Sequence, residues 1–503
     1  MSRSLPLSHL LAATPVLDTN ADPLLRVESL CCDSRQVTPG ALFFALRGVK
    51  AEGSEFVAQA AERGAISIVS DAATVACALP HIKVQYARAA MADMAAAFYE
   101  NPADEMKIMG VTGTNGKTTT AFLTKHILDA DHRRCGLIGT IKYSIGGTDI
   151  DAPRTTPESL ELQDLLRQMA DVGSKAVAME VSSHALVQYR VRGIDFDAAV
   201  FTNLTQDHLD YHKTMDAYFD AKALLFESLA AQTKKKGRAI VNSDDRYGHR
   251  LEERFGKKLP IVTYGLGANA QFRAASIKFD ATGSTYQLTA KGRSYFVRSP
   301  LIGAFNIYNS LAALASAAAM GMELRAAVAA MATAPQVPGR LERVPAKRNF
   351  QVFVDYAHTD DALRNVLRTL RELNPARIIT VFGCGGDRDR AKRPLMAAAS
   401  DELSDYSIIT SDNPRTEDPM AILADVRKGM KSTRFEEVPD RLNAIQRAVQ
   451  LAGPGDIVLI AGKGHEKYQE FAQEKFPFDD VVVARRAIEG KHVELEESDQ
   501  YDQ

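Results

Sequence analysis

The sequence predicts an α/β protein of three domains, with mostly parallel sheets covered by helices. Three observations carry that expectation. Apolar runs alternate with amphipathic helical windows from Met106 to about Pro338, as strands and covering helices do. The same alternation returns more cleanly in the last third of the chain. A length of 503 residues exceeds one compact core and, at roughly 150 residues per domain, gives about three.

The elements justify this in order. Up to about Asn101 lie short strand-like runs with turn signals, such as Gly40 to Gly48, then an Ala-rich helix over Ala89–Tyr99. Asn101-Pro102 marks a boundary, because a residue before proline avoids the helical region. Strands are expected at Lys107–Val111, Ala176–Val181, Ala198–Thr202 and Ala239–Val241, and Pro335 to Gly339 reads as a second linker. Beyond it, Val352–Asp355, Ile378–Phe382, Ser407–Thr410 and Ile457–Ile460 read as buried strands, with helices at Asp361–Leu373 and Pro394–Leu403. The expected domains are therefore 1–101, 102–338 and 339–503. Lys234-Lys235-Lys236 reads as a solvated loop, and the acidic tail after Glu494 as frayed.

Composition excludes several classes. Lys and Arg number 61 against 63 Asp and Glu, a net charge of −2, which lacks the basic footprint of a nucleic-acid binder. The five cysteines form no CxxC pair, so neither a disulfide framework nor a zinc site is expected. Met1 to Thr14 lacks the apolar core of a signal peptide, and the Ala-rich stretch Ser310–Met320 is too short to span a bilayer. The expectation is a soluble, cytoplasmic protein with no membrane partner.

The chemistry begins at Thr112-Gly113-Thr114-Asn115-Gly116-Lys117-Thr118-Thr119. A strand runs into this loop and a helical pattern, Thr120–Leu128, follows it. Glycines let backbone N–H groups approach phosphates, the helix start adds partial positive charge, and Lys117 reaches the distal phosphates. Thr118 would offer its hydroxyl to Mg²⁺. Strict P-loop spacing would put a glycine where Val111 stands, so this is a variant loop, and a tight turn with a surface lysine is the plainer alternative. Gly383-Cys-Gly-Gly lacks the G-x-G-x-x-G spacing, which discounts NAD.

From this loop onward the chain resembles the Mur ligases and their cousins, the folylpolyglutamate synthetases. The similar segments are Thr155-Thr-Pro157, Met179 to His184, Asn203 to Asp210, Asn306 to Asn309 and Pro338-Gly-Arg340. Asp355-Tyr-Ala-His358, Gly383 to Arg388, Asp412-Asn-Pro-Arg415 and Gly462 to Glu466 complete the set, so the likeness covers about residues 30 to 470. The resemblance implies a small N-terminal α/β UDP-binding domain, a central P-loop ATPase-like parallel sheet and a Rossmann-like C-terminal domain. It further implies an ATP- and Mg²⁺-dependent ligase, a monomer, adding meso-diaminopimelate to the D-glutamate of UDP-N-acetylmuramoyl-L-alanyl-D-glutamate.

The resemblance also assigns residues. Gly113, Thr114, Asn115, Gly116, Lys117, Thr118 and Thr119, with Asn306, Arg340, Asp355 and His358, would bind ATP. Thr118, Glu180 and His208 would ligate metal, and Lys222, as a carbamate, would hold a second Mg²⁺; Lys117, Lys222 and His208 would be catalytic. On position alone Glu180 is a solvated strand-end carboxylate, His208 a structural histidine and Lys222 a helix-surface lysine. Carbamylation needs a neutral amine, hence a site that depresses the lysine pKa from about 10.4. Cys32, Ser34, Val49, Lys50 and Ala51 would hold the UDP end of the substrate, and Thr155, Thr156, Ser182, Gln188 and Arg190 its muramoyl-dipeptide. Arg388, Asp412, Asn413, Pro414, Arg415, Gly462 and Glu466 would bind diaminopimelate, Arg415 gripping the distal carboxylate; on position alone Arg415 could be a solvated helix-start residue.

The chain departs from the family at Asp360, where proline is usual, which should loosen a helix start although Asp suits a first turn. Two rival readings stay open: another ligase of the superfamily, folate- or lysine-directed, and a P-loop regulator or transport ATPase that makes no bond.

Overall fold

A computed structural model describes residues 3–48, 52–73, 75, 77–472 and 474–490. Val49, Lys50 and Ala51, and the acidic tail after Glu494, lie outside the described residues. The chain forms two compact units, one within residues 1–275, 287–297 and 308–331, the other within 276–286, 298–307 and 332–503.

The first unit opens with a five-stranded sheet: β1 (Val16–Thr19), β2 (Ser29–Cys31), β3 (Ala41–Phe44), β4 (Ala65–Ser70) and β5 (His81–Val84), in the order β1-β5-β4-β3-β2. Only the edge strand β1 runs antiparallel to its neighbour. Helix α1 (Ala87–Phe98) buries Met91, Met94 and Phe98 against Leu42, Phe44 and Val69 of this sheet. The chain stops the helix at Glu100 and Asn101, whose φ of 60° and 48° lie in the left-handed region, immediately before Pro102.

Next come β6 (Lys107–Thr112), α2 (Lys117–Ala130), β7 (Cys135–Ile138), β8 (Lys142–Ile145), β9 (Thr148–Asp151), α3 (Ser159–Asp171) and β10 (Ala176–Glu180). After them follow α4 (Ser183–Val187), β11 (Ala198–Phe201), α5 (Met215–Ala231), β12 (Arg238–Asn242), β13 (Ile261–Gly265) and β14 (Phe272–Asp280). These nine strands of an eleven-stranded sheet lie in the order β9-β8-β7-β10-β6-β11-β12-β13-β14. From β7 to β14 every pairing is parallel, and the apolar runs read from the sequence fill the buried middle of this sheet. Lys235 departs from the expected solvated loop. Its ammonium donates to the carbonyls of Ala103 and Met106 and pairs with Asp197 at 3.0 Å, because the loop before β12 passes beside the start of β6.

The second unit holds β15 (Glu342–Val344), β16 (Gln351–Asp355), α6 (Asp360–Arg371), β17 (Ile378–Phe382), α7 (Lys392–Leu403), β18 (Tyr406–Ile409) and α8 (Pro419–Arg427). It continues with β19 (Phe435–Glu437), α9 (Arg441–Leu451), β20 (Ile457–Ala461), β21 (Tyr468–Phe471), β22 (Glu474–Pro477) and α10 (Asp480–Glu489). The main sheet runs β15-β16-β20-β17-β18-β19, parallel throughout except β15. Alternate strand residues serve two cores. Phe353, Phe382, Ile409 and Leu459 pack with Leu363, Met396 and Ile422 of α6, α7 and α8. Val352, Val381, Ile408 and Val458 pack with Ile445 and Val483 of α9 and α10. This is a doubly wound α/β sheet. Asp360 does not loosen α6: Thr359 is its N-cap, its hydroxyl accepting from the Ala362 amide, and Asp360 and Asp361 put negative charge in the first turn.

Candidate functional site

In the first unit the carboxyl ends of four adjacent strands, β7, β10, β6 and β11, carry the polar residues. That edge is where ligands of open α/β sheets bind. The phosphate loop follows β6. Gly113 has φ 148°, and a Cβ there would lie 1.8 Å from the Thr202 hydroxyl; Gly116 has φ 88°, and a Cβ there would meet the Asn309 carboxamide at 2.3 Å. Both positions therefore require glycine. The Thr202 hydroxyl donates to the Asn115 carbonyl at 2.6 Å, and the Asn203 carboxamide accepts from the Asn115 amide at 3.0 Å, which fixes the loop from the β11 side. Lys117 opens α2 and its ammonium donates back to the carbonyls of Gly113 and Thr114. Thr118 and Thr119 are buried in the first turn.

The Thr118 hydroxyl donates to Glu180 at 3.1 Å, and Glu180 also accepts from the amide and hydroxyl of Thr140 at 2.8 and 3.0 Å. Glu180 is thus a buried carboxylate beside the phosphate loop, not a solvated strand end. Among the described residues no three His, Cys, Asp or Glu side chains converge as a ready-made metal site. That donor set fits Mg²⁺, which takes one or two protein oxygens and completes its shell with phosphate and water.

Lys222 is the largest correction to position-based reading. It is only 2% exposed on α5, its Nζ donating to the Gly113 carbonyl at 2.8 Å and standing 4.5 Å from the Tyr218 ring centre. Burial, and then the charge of Lys117, hold its pKa well below that of an ordinary lysine. Burial therefore favours the neutral amine over the ammonium. Around it stand residues to which the sequence reading gave no role, His184 and Asp207 from the quoted motifs and Tyr218. The His208 side chain is about half exposed and packs against His184 and Tyr218, with ring centres 5.0 and 6.0 Å away. This partial desolvation lowers its pKa, Asp207 opposing and Lys117 and Lys222 assisting.

Thr155, Thr156, Ser182, Gln188 and Arg190 come together around the end of β10. Thr155 meets the Thr140 hydroxyl at 3.1 Å, and Thr156 donates to the Glu180 carbonyl at 2.9 Å and accepts from the Ser182 amide. Ser182 caps α4, while Arg190 donates to the Thr156 carbonyl and to Gln188 and pairs with Glu158 at 2.8 Å. Glu158 also pairs with Arg88 at the start of α1. Cys32 lies in the same field: burial, then Glu158, push its thiol up to about 11. Ser34 donates to Gln59 at 2.5 Å.

In the second unit the carboxyl ends of β16, β20, β17 and β18, neighbours in that order, carry Asp355 to His358, Gly462 to Glu466, Gly383 to Arg388, and Asp412 to Arg415. Both Asp355 oxygens are occupied by backbone, accepting from the Leu341 and Ala357 amides at 2.6 and 2.8 Å. Burial raises its pKa to about 6, opposed first by Arg340. Arg340 and His358 flank Tyr356, and the Asn306 side chain donates to the Ile302 carbonyl. Asn413 donates to Glu466 at 2.9 Å, and the fully buried Lys463 donates to both at 2.9 and 3.0 Å. Asp412 lies against Gly462, where a Cβ would come within 2.6 Å of its carboxylate. Pro414 is buried, and Arg388 stands exposed on the neighbouring loop. Arg415 is no helix-start residue. It lies in the loop before α8 with φ 55°, pairs with Glu470 at 3.1 Å and donates to the Gly386 carbonyl at 2.8 Å. Lys463 was legible only as part of the Gly462 to Glu466 motif, and Glu470 carried no sequence signal.

Three family models match the chain: Mur ligase family, catalytic domain, over residues 26–99; Mur ligase middle domain, over 111–317; and Mur ligase, glutamate ligase domain, over 339–464. A UDP-N-acetylmuramoyl-L-alanyl-D-glutamate–2,6-diaminopimelate ligase of Geobacter sulfurreducens is 48% identical over 482 residues, covering 92% of this chain and 94% of the relative. The protein of the same name from Listeria monocytogenes is 42% identical over 488 residues, covering 96% and 99%. A solved structure with that name superposes with a TM-score of 0.71 at 36% identity, covering 97% of this chain and 99% of the other. On these matches the chain belongs to the Mur ligase family.

Proposed function

We propose that this chain is an ATP-dependent ligase that joins meso-2,6-diaminopimelate to the D-glutamate of UDP-N-acetylmuramoyl-L-alanyl-D-glutamate, a step of peptidoglycan precursor synthesis. The observation that carries the reading is the end-to-end match, at 42% to 48% identity, to relatives bearing the name of that activity. The positions of Lys117, Lys222 and Arg415 support it. Regions 1–101, 102–338 and 339–503 divide the work among UDP-substrate, ATP and amino acid.

A carboxylate does not condense with an amine at neutral pH until it is activated. The γ-carboxylate of D-glutamate attacks the γ-phosphorus of ATP, ADP leaves, and an acyl phosphate forms. The amine of diaminopimelate then attacks the acyl carbon, phosphate leaves, and the nitrogen loses a proton. The residues align substrates and neutralise charge, which is most of what phosphoryl transfer needs. Gly113 to Thr119 present backbone N–H groups and Lys117 presents its ammonium to the phosphates, with Asn306, Arg340, Asp355 and His358 as further nucleotide residues. Thr155, Thr156, Ser182, Gln188 and Arg190 hold the muramoyl-dipeptide, Cys32 and Ser34 with residues 49–51 hold the UDP end, and Arg388, Asp412 to Arg415, Gly462 and Glu466 hold diaminopimelate. Mg²⁺, when bound, offsets phosphate charge; Thr118, Glu180 and His208 would hold it, with a carbamate on Lys222 serving a second ion.

Among the described residues no helix is long and apolar enough to cross a membrane, and the five cysteines are free. We place the reaction in the cytoplasm and take the chain to act as a monomer, since one copy carries every residue named. The test is ADP release with each substrate withheld in turn. Release over many turnovers that persists without the UDP-muramoyl-dipeptide or without an amino acid would sink the ligase reading in favour of an ATPase.

A further inference from the structure

Arg415 is held in an unusual way for a residue offered to a substrate. Its backbone lies in the left-handed region, φ 55°, which a non-glycine residue adopts only when its surroundings hold it there. Strand β21 does the holding. The Arg415 amide donates to the Glu470 carbonyl at 2.9 Å, and the Arg415 carbonyl accepts from the Ala472 amide at 2.7 Å. Alongside, Gln469 donates to the Asp412 carbonyl at 2.9 Å, and the Glu470 amide donates to the Asn413 side chain at 3.1 Å. The loop Asp412 to Arg415 is therefore sewn to β21 residue by residue.

The side chain is fixed from the same strand. Nε donates to Oε2 of Glu470 at 3.1 Å, and Nη1 donates to the Gly386 carbonyl at 2.8 Å. A guanidinium has five N–H bonds in one plane. With these two committed, one remains on Nη1 and two on Nη2. One from each terminal nitrogen is the pair that meets a carboxylate end-on with two parallel bonds.

We propose that Glu470 is a positioning residue that aims Arg415, turning the terminal edge of the guanidinium toward the distal carboxylate of diaminopimelate. The inference rests on the diaminopimelate reading above and adds to it a residue outside every binding motif. It distinguishes geometry from charge. Glu470→Gln keeps an oxygen for Nε and loses the charge; Glu470→Asp keeps the charge and falls about one C–C bond short.

The full-length enzyme and these variants are assayed for kcat and KM with meso-diaminopimelate and with lysine, alongside thermal melting. Glu470→Ala and Glu470→Asp should raise KM for diaminopimelate about ten- to a hundredfold, with kcat, the KM for ATP and the KM for the UDP-substrate unchanged. Glu470→Gln should stay within about threefold of wild type. Activity with lysine should not respond, because lysine has no distal carboxylate to grip. If Asp behaves as wild type and Gln as Ala, charge and not aim is at work, and the proposal falls. It also falls if Glu470→Ala keeps the wild-type KM, or if every parameter and the melting temperature drop together. Wild type that ignores diaminopimelate would overturn the functional reading itself, and this inference with it. Wild type that selects diaminopimelate through Arg415 but not through Glu470 overturns this inference alone.

Discussion

The buried amine of Lys222 donates to the carbonyl of Gly113, 2.8 Å away, across 109 positions of sequence. Helix α5 and the phosphate loop are thereby joined at the residue whose glycine conformation the loop depends on. Burial, and then the charge of Lys117, favour the neutral form of that lysine, and a neutral amine adds to carbon dioxide to give a carbamate and a proton.

Lys222→Ala should therefore lose nearly all ligase activity, on the order of a hundredfold or more by the general scale of losing a metal-supporting group. Part of the activity should return with added acetate or another short carboxylate, which fills the vacated anionic position. Steady-state ADP release with and without the additive measures this. Full activity in Lys222→Ala without additive would make the lysine a packing residue.

Lys117→Ala should abolish turnover while the fold persists. The ammonium sits within 3.0 Å of two carbonyls of its own loop, so removing it deletes a cation from the phosphate cradle and no core packing. Circular dichroism should overlay wild type while ADP release falls by at least about a thousandfold, the scale expected for electrostatic stabilisation of phosphoryl transfer. Near-normal release with all three substrates would contradict the phosphate-loop assignment.

How much of this was legible depends on whether the signal was local. The parallel strands were, because a strand buried on both faces reads as an uninterrupted apolar run: Ile378–Phe382 matches to the residue. The helix after the phosphate loop was visible as the pattern Thr120–Leu128, but its start at Lys117 lies three residues earlier, inside Gly116-Lys-Thr. The antiparallel β8 and β9 were not, since Thr148–Asp151 is exposed throughout and has no apolar pattern to read. Lys222 and Lys235 look like surface lysines in sequence, and only tertiary contacts with Gly113 and Asp197 bury them. Arg415 was legible from its motif, but its partner Glu470 lies 55 positions away on an unremarkable strand.

His465 gives the chain an acid-sensitive element. Burial, followed by the charges of Arg340 and Lys463, brings its pKa down to about 3 from an unfolded value near 6.5. The folded state therefore binds fewer protons than the unfolded state between those limits. Stability rises with pH across that window and is lost as pH falls from about 6.5 toward 3. His465→Gln cannot take up this proton. Urea midpoints measured from pH 7 to pH 4 should fall less steeply in His465→Gln than in wild type; parallel slopes would show that His465 does not titrate in this way.

Asp480 and Arg441 form a fully buried pair, Nε to Oδ1 at 2.8 Å and Nη2 to Oδ2 at 2.7 Å. Arg441 also donates to the carbonyls of Ser411 and Ala461, which precede Asp412 and Gly462. Asp480→Ala should cost about 3–5 kcal/mol, because it strands an uncompensated guanidinium in the core. Arg441→Met with Asp480→Leu should recover a good part of that. Denaturant unfolding of the second unit's sheet reads both, and a loss under about 1 kcal/mol for Asp480→Ala would show that water reaches the arginine.

Specificity for the amino acid should rest on Arg415. Meso-diaminopimelate and lysine differ by one carboxylate at the far end of the side chain. The Arg415 guanidinium is fixed by Glu470 and the Gly386 carbonyl, so its free edge is a preformed bidentate site. Lysine in that place would leave the edge desolvated and unpaired, and a site built for a polar group rejects the analogue that lacks it by about 10⁴-fold or more. We assign Arg388 and Glu466 to the α-carboxylate and amino end that both amino acids share, so they should not discriminate. The measurement is kcat/KM for each amino acid in wild type and in Arg415→Ala. Wild type should favour meso-diaminopimelate by several orders of magnitude, and Arg415→Ala should lose most of that preference through the diaminopimelate arm alone. Equal use of lysine by wild type, or an unchanged preference in Arg415→Ala, would place the discriminating group elsewhere in the loop between β18 and α8.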